Sequence, residues 1–529
     1  MSNELDFLSL QVANGRFSRR DFLGRAAALG LSAGGASMLL SNTAMAAGPQ
    51  RGGTMKVGLS GGSTTDSLDP ALAASSVTVI INRSWGEELV ALTADGRVAP
   101  KLATEWASST DGTEWTFTIR SGVQFHNGKT LTPDDVVATI ERHSGTDTKS
   151  GALGIMREIK SVKSNGDSVV FYLKNPNADL PYLLNDYHLL IQPNGGKDDP
   201  AAGIGTGPYK RVSSDPGVRY VGERFENYWA KDARGHAAEI EILILNDSTA
   251  RLAALQSGRV DMINRVDTKV MSFIDRIPSI TTHSVPGRGH YLLIAHCNTA
   301  PLDNNDLRLA LKYAIDREEM VDKILQGFGT IGNDSPINAA YPLYSEALPQ
   351  RPFDTDRAAF HYKKSGNKEP LLLRTSDVAF PGAIDAAQLF QASCAKAGIP
   401  IEVRREPGDG YWNQTWNKQP FCMSYWEGRP IQDQMFSTAY VSNADWNESR
   451  FFHPSFDKMA IAARGELDQE KRTRIYRDMS LMVQNQGGSI IPMFNDTIAA
   501  VGERVLGWQK NPNLELMDSM APSECWLKA

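Results

Sequence analysis

The sequence predicts an α/β protein of two or three packed lobes, and three observations lead there. The chain has 529 residues, well beyond the ~100–200 of a typical domain. Residues 371–427 read as strand, helix, strand and a further strand, a βαβ unit that implies parallel strands and a right-handed crossover. Short β-rich segments dominate from 54 to about 295 and mixed α/β segments from about 300 to 495, so the composition changes near Pro301. Apolar residues at 41% and charged residues at 22% exclude a mostly disordered chain and a polytopic membrane protein. A net charge of −6 excludes the basic footprint of a nucleic-acid binder, and no run of like charge forms a tail.

The elements follow in order. Residues 54–59 alternate apolar and polar side chains like a strand, and Gly61-Gly62-Ser63-Thr64 with Leu68-Asp69-Pro70 marks the loop after it. Residues 115–120 alternate as a half-buried strand. Thr132-Pro133-Asp134-Asp135 starts a helix: a threonine at the N-cap, proline at the first helical position and two acids at the positive end of the dipole. Strands are expected at 169–173, after the Gly205-Thr206-Gly207-Pro208-Tyr209 turn, and at 239–245. A helix over 248–257 stops at Gly258. Leu307, Ala310, Leu311, Ala314 and Ile315 form one apolar stripe, which predicts a long helix over 305–325. In the βαβ unit, 371–374 is a buried strand, 382–397 the helix ending at Gly398, 399–404 the next strand and 421–426 the third.

The N-terminus reads as an address. Ser18-Arg19-Arg20-Asp21-Phe22-Leu23, a weakly apolar stretch over 26–40 and Thr43-Ala44-Met45-Ala46-Ala47 follow the order of an export signal, and the paired arginines resemble a twin-arginine signal. Cleavage near Ala46 would remove four arginines with Glu4, Asp6 and Asp21, which moves the net charge from −6 to −7. No later run approaches the ~18–20 apolar residues of a membrane span. The mature protein is expected to be soluble and periplasmic.

Catalytic signatures are missing. There is no G-x-S-x-G elbow, H-E-x-x-H, phosphate-binding P-loop or C-x-x-C. His290 and His296 flank an apolar strand, but six strand residues separate them by about 20 Å, too far for one metal. No metal and no cofactor is expected. Cys297 and Cys422 could pair in an oxidising compartment or remain buried thiols.

Four ordered blocks carry a resemblance. The first is Leu102-Ala103-Thr104-Glu105-Trp106, then Asp111 to Arg120, Gly122-Val123-Gln124-Phe125-His126-Asn127-Gly128 and Leu131-Thr132-Pro133-Asp134-Asp135-Val136. The second is Gly205-Thr206-Gly207-Pro208-Tyr209-Lys210 with Glu226-Asn227-Tyr228-Trp229. The third is Leu255-Gln256-Ser257-Gly258-Arg259-Val260-Asp261. The fourth is Asn298 with Leu307 to Leu311 and Tyr313-Ala314-Ile315-Asp316-Arg317. Together they resemble the large extracellular solute-binding proteins of bacterial ABC importers, the peptide, dipeptide and nickel class (solute-binding protein family 5). The resemblance implies a two-lobe periplasmic-binding-protein fold of type II, the Venus-flytrap arrangement, with an extra domain in the N-terminal lobe. It divides the chain into a signal (1–46), an N-terminal lobe (50–85, 191–297 and 496–529), the extra domain (86–190) and a C-terminal lobe (298–495). His126 and Asp134 then belong to the scaffold.

In peptide-binding members of the family an acid just after the C-lobe tryptophan strand clamps the ligand's amino terminus. Here that position holds Arg429, in Trp426-Glu427-Gly428-Arg429-Pro430-Ile431-Gln432-Asp433. Arg429 could grip a carboxylate or phosphate, Glu427 or Asp433 could serve as a shifted peptide anchor, or Arg429 could form an internal ion pair with either acid. The expected ligand contacts are Arg374, Arg404, Tyr411, Trp426, Glu427, Arg429 and Asp433, with Ser63 and Thr64 from the first loop. Arg374, Arg404, Trp426, Glu427 and Arg429 come from the carboxyl-end rule for parallel strands. Tyr411, Trp412, Trp416, Tyr425, Trp426 and Trp446 could line an amphipathic pocket or pack in the core. The expected function is the substrate-binding component of an ABC importer for a small peptide or peptide-like solute. The alternative is an anionic non-peptide solute, such as an opine-like conjugate or sugar derivative; an exported enzyme is the rival class. The expected partners are the ligand, the membrane permease and, for the precursor, the twin-arginine export machinery; no nucleic acid is involved and the protein is expected to be a monomer.

Overall fold

A computed structural model describes residues 48–145, 147–466 and 468–528. The expected signal over 1–46 lies outside the described residues. Two large sheets define two lobes. In the first, Thr54–Leu59 is central, parallel to Glu239–Ile244 on one side and to Met262–Ile263 on the other. Its alternation buries Met55, Val57 and Leu59 completely, as expected of a strand with one face on a core. Tyr209–Asp215, Arg219–Arg224, Ile280–Val285 and Thr497–Gly502 complete seven strands.

The second sheet orders as Gly329–Ile331, Ser489–Asn495, His290–Ala295, Phe421–Trp426, Leu371–Thr375 and Ile401–Arg405. Leu371–Thr375 runs parallel to Ile401–Arg405, and the helix Ala383–Lys396 joins them. The βαβ unit therefore forms as its sequence pattern predicts. The chain crosses between sheets after Val285 and again between Asn495 and Thr497, so its last segment returns to the first lobe.

Two expectations are corrected, and the alternative left open for Cys297 and Cys422 is decided. The strand His290–Ala295 was expected in the first lobe, which was drawn to 297. It is buried along its length and pairs with Phe421–Trp426 and Ser489–Asn495, so the crossing lies at 286–289. The helix expected over 305–325 stops at Ala314. Asp316 caps a new turn by accepting the Glu319 amide N–H (3.0 Å), and a π-turn over Val321–Leu325 ends at Gln326, which is left-handed. Cys422 lies opposite Ile294, three residues before Cys297. That offset is about 10 Å along a strand, beyond disulfide reach, and all four cysteines are free thiols.

A third unit has its own core. Ala103–Ser108, Glu114–Ile119, Ser168–Leu173 and Ile159–Asn165 form a four-stranded antiparallel sheet around Phe117, Phe171 and Ile140. The helix Pro133–Ser144 covers it. Asp135 accepts the Thr132 amide N–H (2.9 Å) and hydroxyl (2.7 Å), which closes a capping box. His126 is tied to the Gly207 carbonyl (2.8 Å). Both residues hold scaffold together.

Candidate functional site

The strand Phe421–Trp426 lies inside the second sheet and carries its last residues to the gap between the lobes. The chain then turns sharply at Gly428, with φ of 61°. A Cβ there would sit 2.4 Å from the Arg288 Cβ, so only glycine fits the turn that aims Arg429. Across the gap the helix Ser76–Trp85 begins at an N-cap, Ser75. The Ser76 amide N–H donates to the Tyr425 hydroxyl (3.2 Å), which joins the two lobes.

Between them lies a small chamber of about 40 Å³. The second lobe supplies four tryptophans, Trp412, Trp416, Trp426 and Trp446, with Tyr425. The first lobe supplies Ser75, Ser76 and Val79, and the extra unit supplies Tyr187. The indoles meet edge to face, with centroids 6.0 Å apart for Trp412–Trp416, 5.4 Å for Trp416–Trp446 and 5.8 Å for Trp426–Trp446. Behind this wall the buried Glu448 accepts the Trp426 indole N–H (2.7 Å) and that of Trp416. Burial pushes the Glu448 carboxyl up to about 7 despite these donors.

Among the described residues, four buried polar atoms on the chamber lining have no hydrogen-bond partner: Arg429 Nε, Trp412 Nε1, Ser76 Oγ and Glu427 Oε1. Orphaned buried groups are uncommon, and three of these four can donate. Arg429 is 4% exposed. It donates to the Gly428 carbonyl (2.8 Å) and the Tyr187 hydroxyl (3.1 Å), and stacks on Tyr187 and Trp426 at 5.2 and 5.3 Å. Among the described residues no carboxylate lies within ion-pair distance of it. Glu427 faces Arg265 (3.6 Å) and Asp433 pairs with Arg464 (2.7 Å), so the expected internal ion pair of Arg429 with either acid does not form. Burial opposes its charge, but Tyr187 and Asp186 outweigh that and keep it protonated.

The other expected contacts lie elsewhere. Arg374 is taken by Glu406, and Arg404 points to solvent on the edge strand. The carboxyl-end rule names an end of the sheet and does not specify which side chains turn towards the gap. Tyr411 is buried behind Trp412 and donates to the Met423 carbonyl (2.7 Å). Asp433 is held in its ion pair within the helix Gln432–Ala439. Ser63 and Thr64 sit on the rim, where Asp409 of the opposite lobe accepts the Ser63 hydroxyl (3.2 Å), the Thr64 amide (3.1 Å) and the Thr64 hydroxyl (2.9 Å). Trp426, Glu427 and Arg429 do come together on the chamber wall.

Sequence reasoning missed Ser75, Ser76, Tyr187, Arg265 and Glu448. The Ser75-x-x-Thr78 spacing before an apolar run was a readable helix-start signal. For Tyr187, Arg265 and Glu448 the sequence held none, since each acquires its neighbours from distant segments.

A model described as bacterial extracellular solute-binding proteins, family 5 (Middle), matches residues 97–448. Heme-binding protein A of Haemophilus influenzae is 25% identical over 457 residues, covering 78% of this chain and 82% of its own. The dipeptide-binding protein of Escherichia coli is 25% identical over 461 residues, with 78% and 84% covered. Among solved structures, the periplasmic binding protein DppA of Helicobacter pylori with the peptide STSA superposes with a TM-score of 0.82 at 20% identity, over 91% of this chain and 99% of that one. The binding protein AgaA with agropinic acid, from A. tumefaciens R10, gives 0.81 at 22% identity, over 90% and 99%.

Proposed function

The chain belongs to the bacterial extracellular solute-binding proteins, family 5, and on that premise we propose that it captures a small, carboxylate-bearing peptide or peptide-like solute between its lobes and delivers it to an ABC permease. The observation that carries this reading is Arg429: a buried guanidinium with a free Nε, on an aromatic chamber, with no carboxylate partner among the described residues. A ligand carboxylate would supply the missing charge and acceptor, while the tryptophans take its apolar body. Contacts from both lobes make the ligand favour the closed arrangement, which the permease would then recognise. The chain would reach the periplasm by its twin-arginine signal and work there as a monomer.

The same arginine favours a second reading, an anionic opine-like conjugate, because it replaces the acid that would hold a peptide's ammonium. Titration of the purified protein with dipeptides, N-acyl dipeptides, opines and neutral oligosaccharides, followed by tryptophan fluorescence and calorimetry, separates the readings. Saturable binding confined to carboxylate-bearing compounds supports the proposal. Binding of neutral sugars, or of none of them, counts against it.

A further inference from the structure

The extra unit is fastened to one lobe and pressed against the other. The chain enters it from Ser76–Trp85 and leaves it towards Tyr209–Asp215, both elements of the first lobe. Further ties run the same way. Arg142 pairs with Asp69 (2.5 Å), the Gly151 amide N–H donates to the Ala71 carbonyl (3.0 Å), and Arg83 donates to the Asn185 carbonyl (3.1 Å). When the lobes move about their hinge the extra unit therefore stays with the first lobe. Its contacts to the second lobe form on closing and part on opening.

Those contacts are close. The short helix Leu153–Met156 lies on the second-lobe helix Gln432–Ala439. A Cβ on Gly154 would run into the Ser437 carbonyl oxygen, and one on Gly151 would sit 2.7 Å from Trp446 Cζ2. Neither glycine has left-handed backbone. At Gly154 it is the approach of the second lobe, not the local conformation, that leaves no room for a side chain. Ile431 of the second lobe joins the core of the extra unit.

The charges across this contact are matched. Asp179 of the extra unit pairs with Arg472 of the second lobe; each side chain is 12% exposed, and among the described residues neither has another ion-pair partner. Arg472 also donates to the Tyr476 hydroxyl (3.1 Å). Beside it Arg464, bound to Asp433 of its own lobe (2.7 Å), faces Glu158 of the extra unit (4.0 Å). Burial pushes the Asp179 carboxyl up, Arg472 pulls it down, and Asp433 and Arg464 act in opposite senses behind them. One nearly buried charge thus meets one other with little to spare. Removing either partner leaves the other to be buried alone, which costs more than removing both.

None of Gly154, Glu158, Asp179, Arg464 and Arg472 lines the tryptophan chamber. The docked unit reaches it through Tyr187, whose hydroxyl accepts an Arg429 N–H (3.1 Å). We propose that the extra unit is a clasp on the second lobe: docking at Gly154 and at the Asp179–Arg472 pair sets how readily the lobes close, whatever solute lies between them. Asp179 and Arg472 are then positioning residues, which bring Tyr187 to Arg429 from outside the chamber. On the solute-binding reading above, a clasp variant weakens every solute by the same factor, because it lowers the closed fraction and leaves the chamber unchanged.

The test uses the whole protein with no solute added. Amide hydrogen exchange read by mass spectrometry follows 150–157 and 432–439, the two faces of the clasp. Small-angle X-ray scattering reports opening and far-ultraviolet circular dichroism reports the fold. Both segments should be protected in the wild type. Gly154→Ala should raise exchange in both together and enlarge the radius of gyration with the dichroism unchanged, since alanine is otherwise the better helix former. Asp179→Asn, which adds no bulk, should do the same, with the closing constant lowered about tenfold or more. Adding Arg472→Met to it should recover most of that loss. Should Gly154→Ala fail to fold, Asp179→Asn carries the test. Exchange and radius equal to wild type in the variants, exchange that rises only where dichroism is lost, or no recovery in the double variant would overturn the clasp. Because no solute is added, that failure leaves the solute-binding reading standing, and a failed ligand panel leaves this result standing.

Discussion

Replacing Arg429 with methionine should have opposite consequences for the fold and for binding. The guanidinium is 4% exposed, donates at 2.8 and 3.1 Å to two neutral oxygens and stacks on two rings at 5.2 and 5.3 Å. Hydrogen bonds involving a charged group contribute about 1.5–3 kcal/mol each and cation–π contacts about 0.5–2 kcal/mol each. Against them stands a desolvation penalty of several kcal/mol for a buried ion, with no carboxylate within 4 Å among the described residues to offset it. Asp186 is held instead by His188 (2.5 Å) and Gln434 (3.3 Å). The opposing contributions nearly cancel, so methionine, of similar length, should change unfolding stability by no more than about 2 kcal/mol. Loss of a buried charged partner for a carboxylate ligand costs about 2–5 kcal/mol, roughly thirty-fold to several-thousand-fold in affinity. Thermal or urea unfolding together with calorimetric titration measures both. A variant destabilised by more than about 4 kcal/mol that still binds as tightly as wild type would refute the reasoning and make Arg429 a structural residue.

Other predictions concern the surroundings of the chamber. Asp409→Ala removes the rim contacts of Ser63 and Thr64; the cleft should open further in scattering and apparent affinity should fall a few-fold, with no loss of fold. Glu448→Ala leaves the Trp416 and Trp426 indole N–H groups unpartnered at about 1–3 kcal/mol each. Urea unfolding should show the loss and tryptophan emission should shift. Because the Glu448 carboxyl is raised to about 7, its contribution to stability is greatest at acid pH and declines as pH rises to that value; Glu448→Gln should remove that decline. Burial raises all four thiols, but only Cys297 is partly exposed, so it alone should alkylate in the native protein. All four should alkylate after unfolding without reductant, and a count of two would contradict the structure.

The fold was legible where local pattern and tertiary demand coincide. Alternation marked Thr54–Leu59 as a strand, and Thr132-Pro133-Asp134-Asp135 marked a helix start, because in both the local preference agrees with what the core requires. The 305–325 stripe misled because Asp316 offers the backbone a capping bond that ends the first helix. His290–Ala295 looked like any apolar strand, and which sheet it joins depends on partners more than a hundred residues away. The site followed the same division. Trp426, Glu427 and Arg429 could be read together because they are contiguous, and they share one wall of the chamber. Arg374 and Arg404 were placed by a rule about strand ends that does not specify side-chain direction. Arg265 is held by left-handed backbone at a non-glycine position, for which residue type gives no warning.

The central claim is that the solute sits in the tryptophan chamber with an anionic group on Arg429. A crystal structure of the protein with a solute identified by the titration panel tests it most directly. The account predicts a carboxylate at hydrogen-bond distance from Arg429 Nε, with the body of the solute against Trp412, Trp426 and Trp446. A solute bound elsewhere between the lobes, with Arg429 still touching only Gly428 and Tyr187, would contradict it.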